Sequence, residues 1–232
     1  MNLYYCSCKK TNILHKILPP KLEHERKQIL RAFINTTPFT GWTKQALELA
    51  ATESRLDKTM ALRAFPNGIS DLVAYYFVQS DRQMVDTLRQ YDLETMSIRN
   101  RIRTAIKVRI EQNTTHCEAT KRLIALLATP QYSATGLQAL QHTVDKIWRT
   151  AGDQSTDFNF YTKRVLLAAV YTSTLLFWLG NSSYDNSATW KFLDRRINDV
   201  MKIQTLRSNL TKGAQTLQPL LSRFFEALNA AQ

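Results

Sequence analysis

The feature that most constrains the fold is an apolar run of fifteen residues, 165–179, in the second half of the chain. Three consecutive hydroxyl residues, 172–174, are its only polar breaks. A helix that is apolar on every side must be buried in protein or in lipid. Fifteen residues rise roughly 22 Å in a helix, which is short of the roughly 30 Å of a bilayer core. Because the charged pair 163–164 and Gly180 bound the run, we predict the central helix of a soluble domain and not a membrane span.

Length and composition favour a helical protein in a reducing compartment. The chain has 232 residues with six glycines and six prolines, and its apolar residues recur at helical spacing instead of alternating. Its three cysteines, Cys6, Cys8 and Cys117, give no disulfide framework. The formal net charge of +12 raises nucleic acid or an anionic membrane as a partner. We therefore predict an all-α fold, in which the location of the charge distinguishes the two partners.

Residues 1–21 form a basic leader or arm. They hold four lysines and no acidic residue, a composition compatible with an organellar transit peptide, although arginine is absent and serine is scarce. An unstructured basic arm is the alternative, and no secretory signal is present.

Four predicted helices over residues 22–80 outline a helix-turn-helix subdomain. The first covers 21–37 and the second covers 42–52, each with apolar residues at helical spacing. Asp57 is expected to N-cap a third helix that runs through Phe65, because its side chain can accept hydrogen bonds from the free amides of the first turn.

The start of the fourth helix completes a motif that is similar to the TetR-type DNA-binding domain. A turn at 66–68 comes first, and Ser70 is expected to cap the helix. The residues that carry the resemblance are Ala46, Ala50, Leu56-Asp57, Phe65-Pro66-Asn67-Gly68 and Asp71-Leu72. The link 52–55 departs from the family, because a longer charged sequence replaces the usual Ala-Gly turn.

The helix-turn-helix carries no net charge. Between residues 42 and 80 four basic and four acidic side chains cancel, namely Lys44, Arg55, Lys58 and Arg63 against Glu48, Glu53, Asp57 and Asp71. A module that reads a DNA groove needs lysine and arginine to neutralise phosphates. We therefore predict a structural relic, with a working DNA reader as the alternative.

Residues 81–203 are predicted to form a larger helical domain around the apolar run. We expect one continuous helix over 81–112, with Arg99, Arg103 and Lys107 along one side. This basic side could contact lipid head groups or nucleic acid, and a solvated helix face is the alternative. Two shorter predicted helices follow, 118–128 and 135–150.

The last segment, 204–232, combines a polar linker with a predicted amphipathic helix. Six apolar residues fall on one helix face, namely Leu217, Leu220, Leu221, Phe224, Phe225 and Leu228. Such a face can complete the core of its own domain or can lie in a membrane surface. The linker favours membrane binding, because it lets the helix reach away from the domain.

The sequence carries no motif that would support catalysis or metal binding. It lacks a glycine-rich phosphate loop, a paired-histidine zinc motif and a nucleophile elbow, and it has four histidines in all. Asp153 and Asp157 precede the apolar run, where helix capping explains them better than acid–base chemistry. We expect a binding protein without a metal or cofactor, and not an enzyme.

Residues 148–201 closely resemble a known family. The segments 151–159 and 161–164, the apolar run and the segment 188–197 are similar to the Coq-nine family of ubiquinone-biosynthesis accessory proteins, which are diverged TetR-like folds. The likeness is near-continuous over 148–201 and weaker over 22–147. It implies an all-helical homodimer that holds isoprenoid or phospholipid in an apolar cavity.

The resemblance also implies a role and a location. The family presents isoprenoid quinone intermediates to the di-iron demethoxyubiquinone hydroxylase of the pathway, Coq-seven. We expect a peripheral protein on the matrix side of the mitochondrial inner membrane, or on the cytoplasmic face of the inner membrane in a bacterium. The alternative function is a TetR-type transcription regulator with a lipid effector.

Two sets of site residues follow from the resemblance and from the helix periodicity. The predicted lipid-lining face consists of Leu166, Ala169, Val170, Ser173 and Phe177, where small residues leave room beside large ones. Ordinary core packing is the alternative for each. In the next helix Trp190, Asp194 and Arg195 are predicted to contact the hydroxylase, because tryptophan is a common interface anchor.

Overall fold

The computed structural model describes residues 22–152, 158–181 and 185–202, without the side chains of 158–162. Across these ranges the chain is helical and has no strand, so the predicted all-α class is confirmed. The helices are α1 (Glu23–Thr40), α2 (Lys44–Glu53), α3 (Lys58–Ala64), α4 (Ile69–Leu88), α5 (Ile98–Glu111), α6 (Cys117–Leu127), α7 (Pro130–Thr150), α8 (Phe158–Gly180) and α9 (187–202). A 3-10 turn, Thr114–His116, joins α5 to α6.

Two side-chain caps build the helix-turn-helix pair α2–α3. Thr43 Oγ1 accepts a hydrogen bond from the Ala46 amide at 3.2 Å, and Asp57 Oδ1 accepts one from the Thr59 amide at 2.8 Å. The predicted capping role of Asp57 is confirmed. Between the helices Arg55 has φ 59°, a left-handed conformation that favours glycine. The charged link is therefore accommodated by a residue with a strained backbone.

The start of α4 differs from the prediction. The helix begins at Ile69 with Gly68 as its N-cap, so Ser70 lies inside the first turn and its predicted capping role is wrong. The turn is closed instead by Asp71, whose two carboxylate oxygens accept from the amide and the side chain of Asn67 at 2.7 and 3.0 Å. A carboxylate in the first turn is also stabilised by the helix dipole.

The predicted continuous helix over 81–112 is wrong, because α4 ends at Leu88 and α5 begins at Ile98. The side chain of Arg101 holds the intervening turn by donating to three carbonyl oxygens. The acceptors are Met96, Glu94 and Ala151, at 3.0, 3.1 and 3.2 Å. A contact with a residue at the end of α7 leaves no trace in local periodicity.

Helices α1 and α7 are longer than predicted. Helix α1 continues past Pro38 to Thr40, and Thr37 Oγ1 donates to the Phe33 carbonyl at 2.6 Å within it. Helix α7 begins at Pro130, well before its predicted start. Proline is tolerated there because the first turn of a helix does not use its amide hydrogens.

The main core packs the helix-turn-helix against α1, α4 and α6. Phe33 is fully buried and meets Trp42 edge-on, with ring centroids 5.0 Å apart. Trp42 Nε1 donates to the Ala119 carbonyl at 3.0 Å and so fixes α6. Buried Arg26 donates to the Ala64 carbonyl at 2.9 Å, which satisfies the end of α3.

The chain divides into two compact units at Ala168, inside α8. The first unit contains the core just described. In the second unit Leu193 and Ile197 of α9 are buried. Among the described helices, none has the length and apolar character needed to cross a bilayer.

Candidate functional site

The start of α8 is fixed to α7 within the first unit. Arg164 donates from Nε and Nη2 to Asp145 Oδ1 at 3.0 and 2.7 Å, and Trp148 Nε1 donates to the Lys163 carbonyl at 3.1 Å. Burial opposes the charged form of Asp145, but hydrogen bonds from Arg164 and Arg149 outweigh burial and lower the pKa of this carboxyl. The ion pair and the hydrogen bond therefore anchor the start of the apolar run to α7.

One face of α8 is buried. Its members recur at three- and four-residue spacing, as one helix face requires, and they are Leu167, Val170, Tyr171, Thr174, Leu175 and Trp178. Thr174 Oγ1 and Ser173 Oγ donate to the Val170 carbonyl at 2.7 and 3.1 Å. These hydroxyl groups are satisfied inside the helix, so the helix surface stays effectively apolar.

Another part of the α8 surface is exposed, which corrects the prediction that an all-apolar helix is wholly buried. Val165 is 69% exposed and Leu176 is 51% exposed. Isolated apolar side chains are common on protein surfaces, but several along one helix are typical of an interaction surface. The helix therefore joins a packed face to an open one.

The five residues predicted to line a lipid cavity differ in their burial. Val170 is buried, Leu166 and Ser173 are half-buried, and Ala169 and Phe177 are exposed. Two pockets in the first unit, one beside α1 and one between α4 and α7, include none of the five. Their contact with lipid stays a prediction.

The three residues predicted to contact a partner lie close together on α9. Trp190 is in the first turn, as predicted, and it is half-buried. Asp194 is half-buried one turn later on the same side, whereas Arg195 is exposed. Their role in binding a partner also stays a prediction.

Sequence reasoning missed an aromatic contact beside these residues. Phe177 stacks on Phe192, with centroids 4.4 Å apart and an interplanar angle of 9°. The guanidinium carbons of Arg195 and Arg196 lie 5.8 and 5.2 Å from the Phe192 ring centroid, within cation–π range. We call these four residues the aromatic–basic patch. The spacing of Phe192 and the two arginines is visible in the sequence, but the pairing with Phe177 is not.

A buried ionic cluster in the first unit was also missed. Asp81 Oδ2 lies 2.7 Å from His142 Nδ1, while Asp81 Oδ1 accepts from Arg109 Nε at 3.2 Å and from Thr143 Oγ1 at 2.9 Å. Asp81 and Arg109 are each 1% exposed. Since a buried charge is tolerated only when it is paired, the cluster holds α4, α5 and α7 together. These residues are so far apart in the chain that no local sequence pattern predicts their contact.

The helix-turn-helix presents a mixed surface. Lys58 and Arg63 of α3 are exposed, and Leu62 beside them is 48% exposed. On α2, Lys44 lies 4.0 Å from Glu48. This arrangement lacks the concentrated positive charge that binding to a nucleic-acid backbone requires.

Several predicted residues lie outside the described ranges. They are Asp153, Asp157 and the membrane-binding set Leu217, Leu220, Leu221, Phe224, Phe225 and Leu228. Within the described ranges, no three His, Cys, Asp or Glu side chains are grouped as a metal site would need.

Comparison with known proteins identifies the family. The COQ9 family model matches residues 133–204, which include most of α7 and all of α8 and α9. The chain is 30% identical over 208 residues to the mitochondrial ubiquinone biosynthesis protein COQ9-B of Xenopus laevis, covering 86% of the chain and 70% of that protein. This chain belongs to the COQ9 family. The resemblance predicted from residues 148–201 is thereby confirmed.

The relatives differ in length from this chain. The mitochondrial ubiquinone biosynthesis protein COQ9 of Rattus norvegicus is 31% identical over 207 residues, which is 86% of this chain and 66% of the rat protein. The chain thus spans slightly less than two thirds of that relative.

The fold comparison confirms the predicted TetR-like architecture. A TetR transcriptional regulator from Nitrosomonas europaea aligns with a TM-score of 0.61, covering 76% of this chain and 97% of the regulator. The two are 16% identical, so this likeness concerns the fold alone.

Proposed function

We propose that this chain is a non-catalytic accessory protein of ubiquinone biosynthesis in mitochondria. The observation that carries the proposal is the 31% identity over 86% of the chain to a rat protein named for that pathway and that organelle. The match of the family model to 133–204 adds support, because these residues include the exposed apolar side chains of α8.

The proposed ligand is an isoprenoid quinone intermediate, or a phospholipid, held along α8. Val165, Leu176 and Phe177 offer apolar surface, and the hydroxyl groups of Ser173 and Thr174 bond within their own helix. An isoprenoid chain gains roughly 25 cal/mol for each square ångström of apolar area that leaves water. No cofactor is needed for such a role.

The proposed partner is the di-iron demethoxyubiquinone hydroxylase, contacted through Trp190, Asp194 and Arg195. The neighbouring aromatic–basic patch supports this choice, because aromatic and arginine side chains are enriched in interface centres. In this proposal the protein is a homodimer on the matrix side of the inner membrane, and it brings the quinone precursor to the enzyme.

Native mass spectrometry of the purified full chain tests the ligand. We expect co-purified isoprenoid lipid, lost in Leu166→Glu and kept in the matched control Leu137→Glu, since Leu137 is a mostly exposed leucine on α7, outside the proposed lipid surface. Equal lipid retention in both variants would remove the proposed lipid face. Absence of lipid together with tight binding to duplex DNA in a low-salt gel shift would favour a transcription regulator instead.

A pull-down with the hydroxylase tests the partner. Trp190→Ala should weaken capture by roughly thirtyfold, the effect of about 2 kcal/mol at an interface centre. Lys191→Ala, at an exposed position next to it, serves as the control. An unchanged affinity of Trp190→Ala, or a large fall in its melting temperature, would assign Trp190 to packing.

A further inference from the structure

A groove of about 450 Å³ lies in the first unit, between α1, α4 and the turn after α5. Its volume falls within the roughly 300 to 1,000 Å³ of small-molecule sites. None of the residues used in the proposed function lines it. The groove is therefore a candidate for a second binding site.

The charge of the groove is positive. Lys27 and Arg31 project from α1 one turn apart, His116 comes from the 3-10 turn, and no acidic side chain among the described residues lines the groove. Glu23 lies 3.9 Å from Lys27 and offsets part of that charge. Arg31 is exposed and, within the described part of the chain, has no acidic partner. A guanidinium without a counter-ion at the edge of a groove favours an anionic ligand.

The groove is also rich in side-chain amides, and some of them are already used. The Tyr76 hydroxyl donates to Asn113 Oδ1 at 2.8 Å, and Gln79 Nε2 donates to Glu23 Oε1 at 3.1 Å. The amides of Asn35 and Gln83 have no hydrogen-bond partner among the described residues. Each amide offers a donor and an acceptor side by side, which suits the polar edge of a heterocyclic base.

The floor of the groove adds a small apolar surface. Leu30 is half-buried and Ile34 is 8% exposed. Together they give the groove an apolar surface that one face of a flat ring can contact. An acyl or isoprenoid chain would have to bury the amides without hydrogen bonds, which is costly.

We propose that this groove binds a nucleoside phosphate. The phosphate lies against Arg31, with Lys27 and His116 nearby. Asn35 and Gln83 hydrogen-bond the edge of the base, and Leu30 and Ile34 contact its face. The site shares no residue with the proposed lipid and partner surfaces, so it does not depend on the proposed function.

Isothermal titration of the full chain with adenosine monophosphate tests the site. We expect saturable binding that weakens at least tenfold in Arg31→Gln and partly recovers in Arg31→Lys. Arg99→Gln removes the same charge from an exposed position on α5 outside the groove, and it should change the affinity less than twofold. Asn35→Ala should weaken binding of adenosine monophosphate but not of inorganic phosphate.

Four results would overturn the proposal. The first is that adenosine monophosphate does not bind at millimolar concentration, and the second is that inorganic phosphate binds with the same affinity as adenosine monophosphate. The third is that Arg99→Gln weakens binding as much as Arg31→Gln does. The fourth is that the protein captures phosphatidic acid vesicles in a manner that depends on Arg31 but is not competed by the nucleotide. The first three exclude a specific nucleoside site, and the fourth assigns the groove to a lipid head group. If Arg31→Gln still retains co-purified isoprenoid, the proposed lipid binding is independent of the groove, whichever ligand the groove takes.

Discussion

Arg55 is the only non-glycine residue with a positive φ in the described structure, at 59°. For an L-residue this conformation costs roughly 1–2 kcal/mol, because Cβ approaches the following carbonyl oxygen. The side chain is exposed and makes no hydrogen bond or ion pair with the described residues that would compensate for this cost. The turn of the helix-turn-helix thus carries strain that a single substitution can relieve.

We expect Arg55→Gly to raise the free energy of unfolding by about 0.5–1 kcal/mol, because glycine adopts this conformation without strain but costs chain entropy. Arg55→Val should lower it, because a β-branched residue is disfavoured at positive φ. Thermal unfolding measures both. In the control Arg63→Gly, inside α3, glycine should destabilise by about 1 kcal/mol. Similar effects of glycine at both positions would show that Arg55 is not strained.

Asp81 gives a second prediction at the scale of a residue. Asp81→Asn should cost about 3–5 kcal/mol in urea unfolding, because it leaves the buried Arg109 and His142 without their carboxylate. The control is Asp86→Asn on the same helix, where the exposed pair with Arg89 should be worth less than about 1 kcal/mol. Equal effects of the two substitutions would mean that the cluster does not hold the helices together.

At the scale of helices, the sequence predicts what depends on neighbours in the chain. Asp57 caps α3 as expected, because a cap needs only the next turn. The break before α5 was missed, because Arg101 stabilises it through the distant Ala151 carbonyl. The exposed side of α8 was missed for a related reason. Apolar periodicity reports which side chains avoid water, but not which of them the rest of the protein covers.

The junction of α7 and α8 depends on pH through Asp145. The pKa of this carboxyl is lowered in the folded chain, with a usual value of 3.8. The carboxylate therefore contributes stability above about pH 4, and this contribution is lost as the pH falls through the lower folded value. We expect the difference in unfolding free energy between wild type and Asp145→Asn to shrink from pH 6 to pH 3. Chemical denaturation at both values measures it, and a difference independent of pH would exclude the ion pair with Arg164 as its source.

For the whole molecule, the distribution of charge separates the two partner classes. Four of the twelve surplus positive charges lie in residues 1–21, which hold four lysines and no acid, whereas residues 42–80 sum to zero. The helix-turn-helix that a nucleic acid would contact is neutral, whereas α8 exposes apolar side chains, as the proposed lipid ligand requires. The TetR-like architecture is thus shared with a transcriptional regulator, but residues 42–80 of this chain lack the net positive charge that binding to nucleic acid requires.

We expect the terminal segment, residues 204–232, to bind the whole protein to the membrane. Deletion of residues 214–232 should abolish sedimentation with liposomes that contain anionic lipid, because it removes the predicted apolar face. The helical circular dichroism and the melting temperature of the remaining domain should persist. Unfolding or aggregation of the truncated protein would mean that the segment completes the core, the alternative that the same periodicity allows.

Point substitutions separate membrane binding from charge alone. Leu221→Asp with Phe225→Asp places two acids on the predicted apolar face, whereas Ser222→Asp with Asn229→Asp makes the same change in net charge at polar positions. If the helix inserts its apolar face, the first pair should release the protein from liposomes and the second should retain most of the binding, because burial of apolar area exceeds the roughly 1 kcal/mol that each charge contributes near an anionic surface. Equal release by both pairs would assign the attraction to electrostatics and contradict insertion.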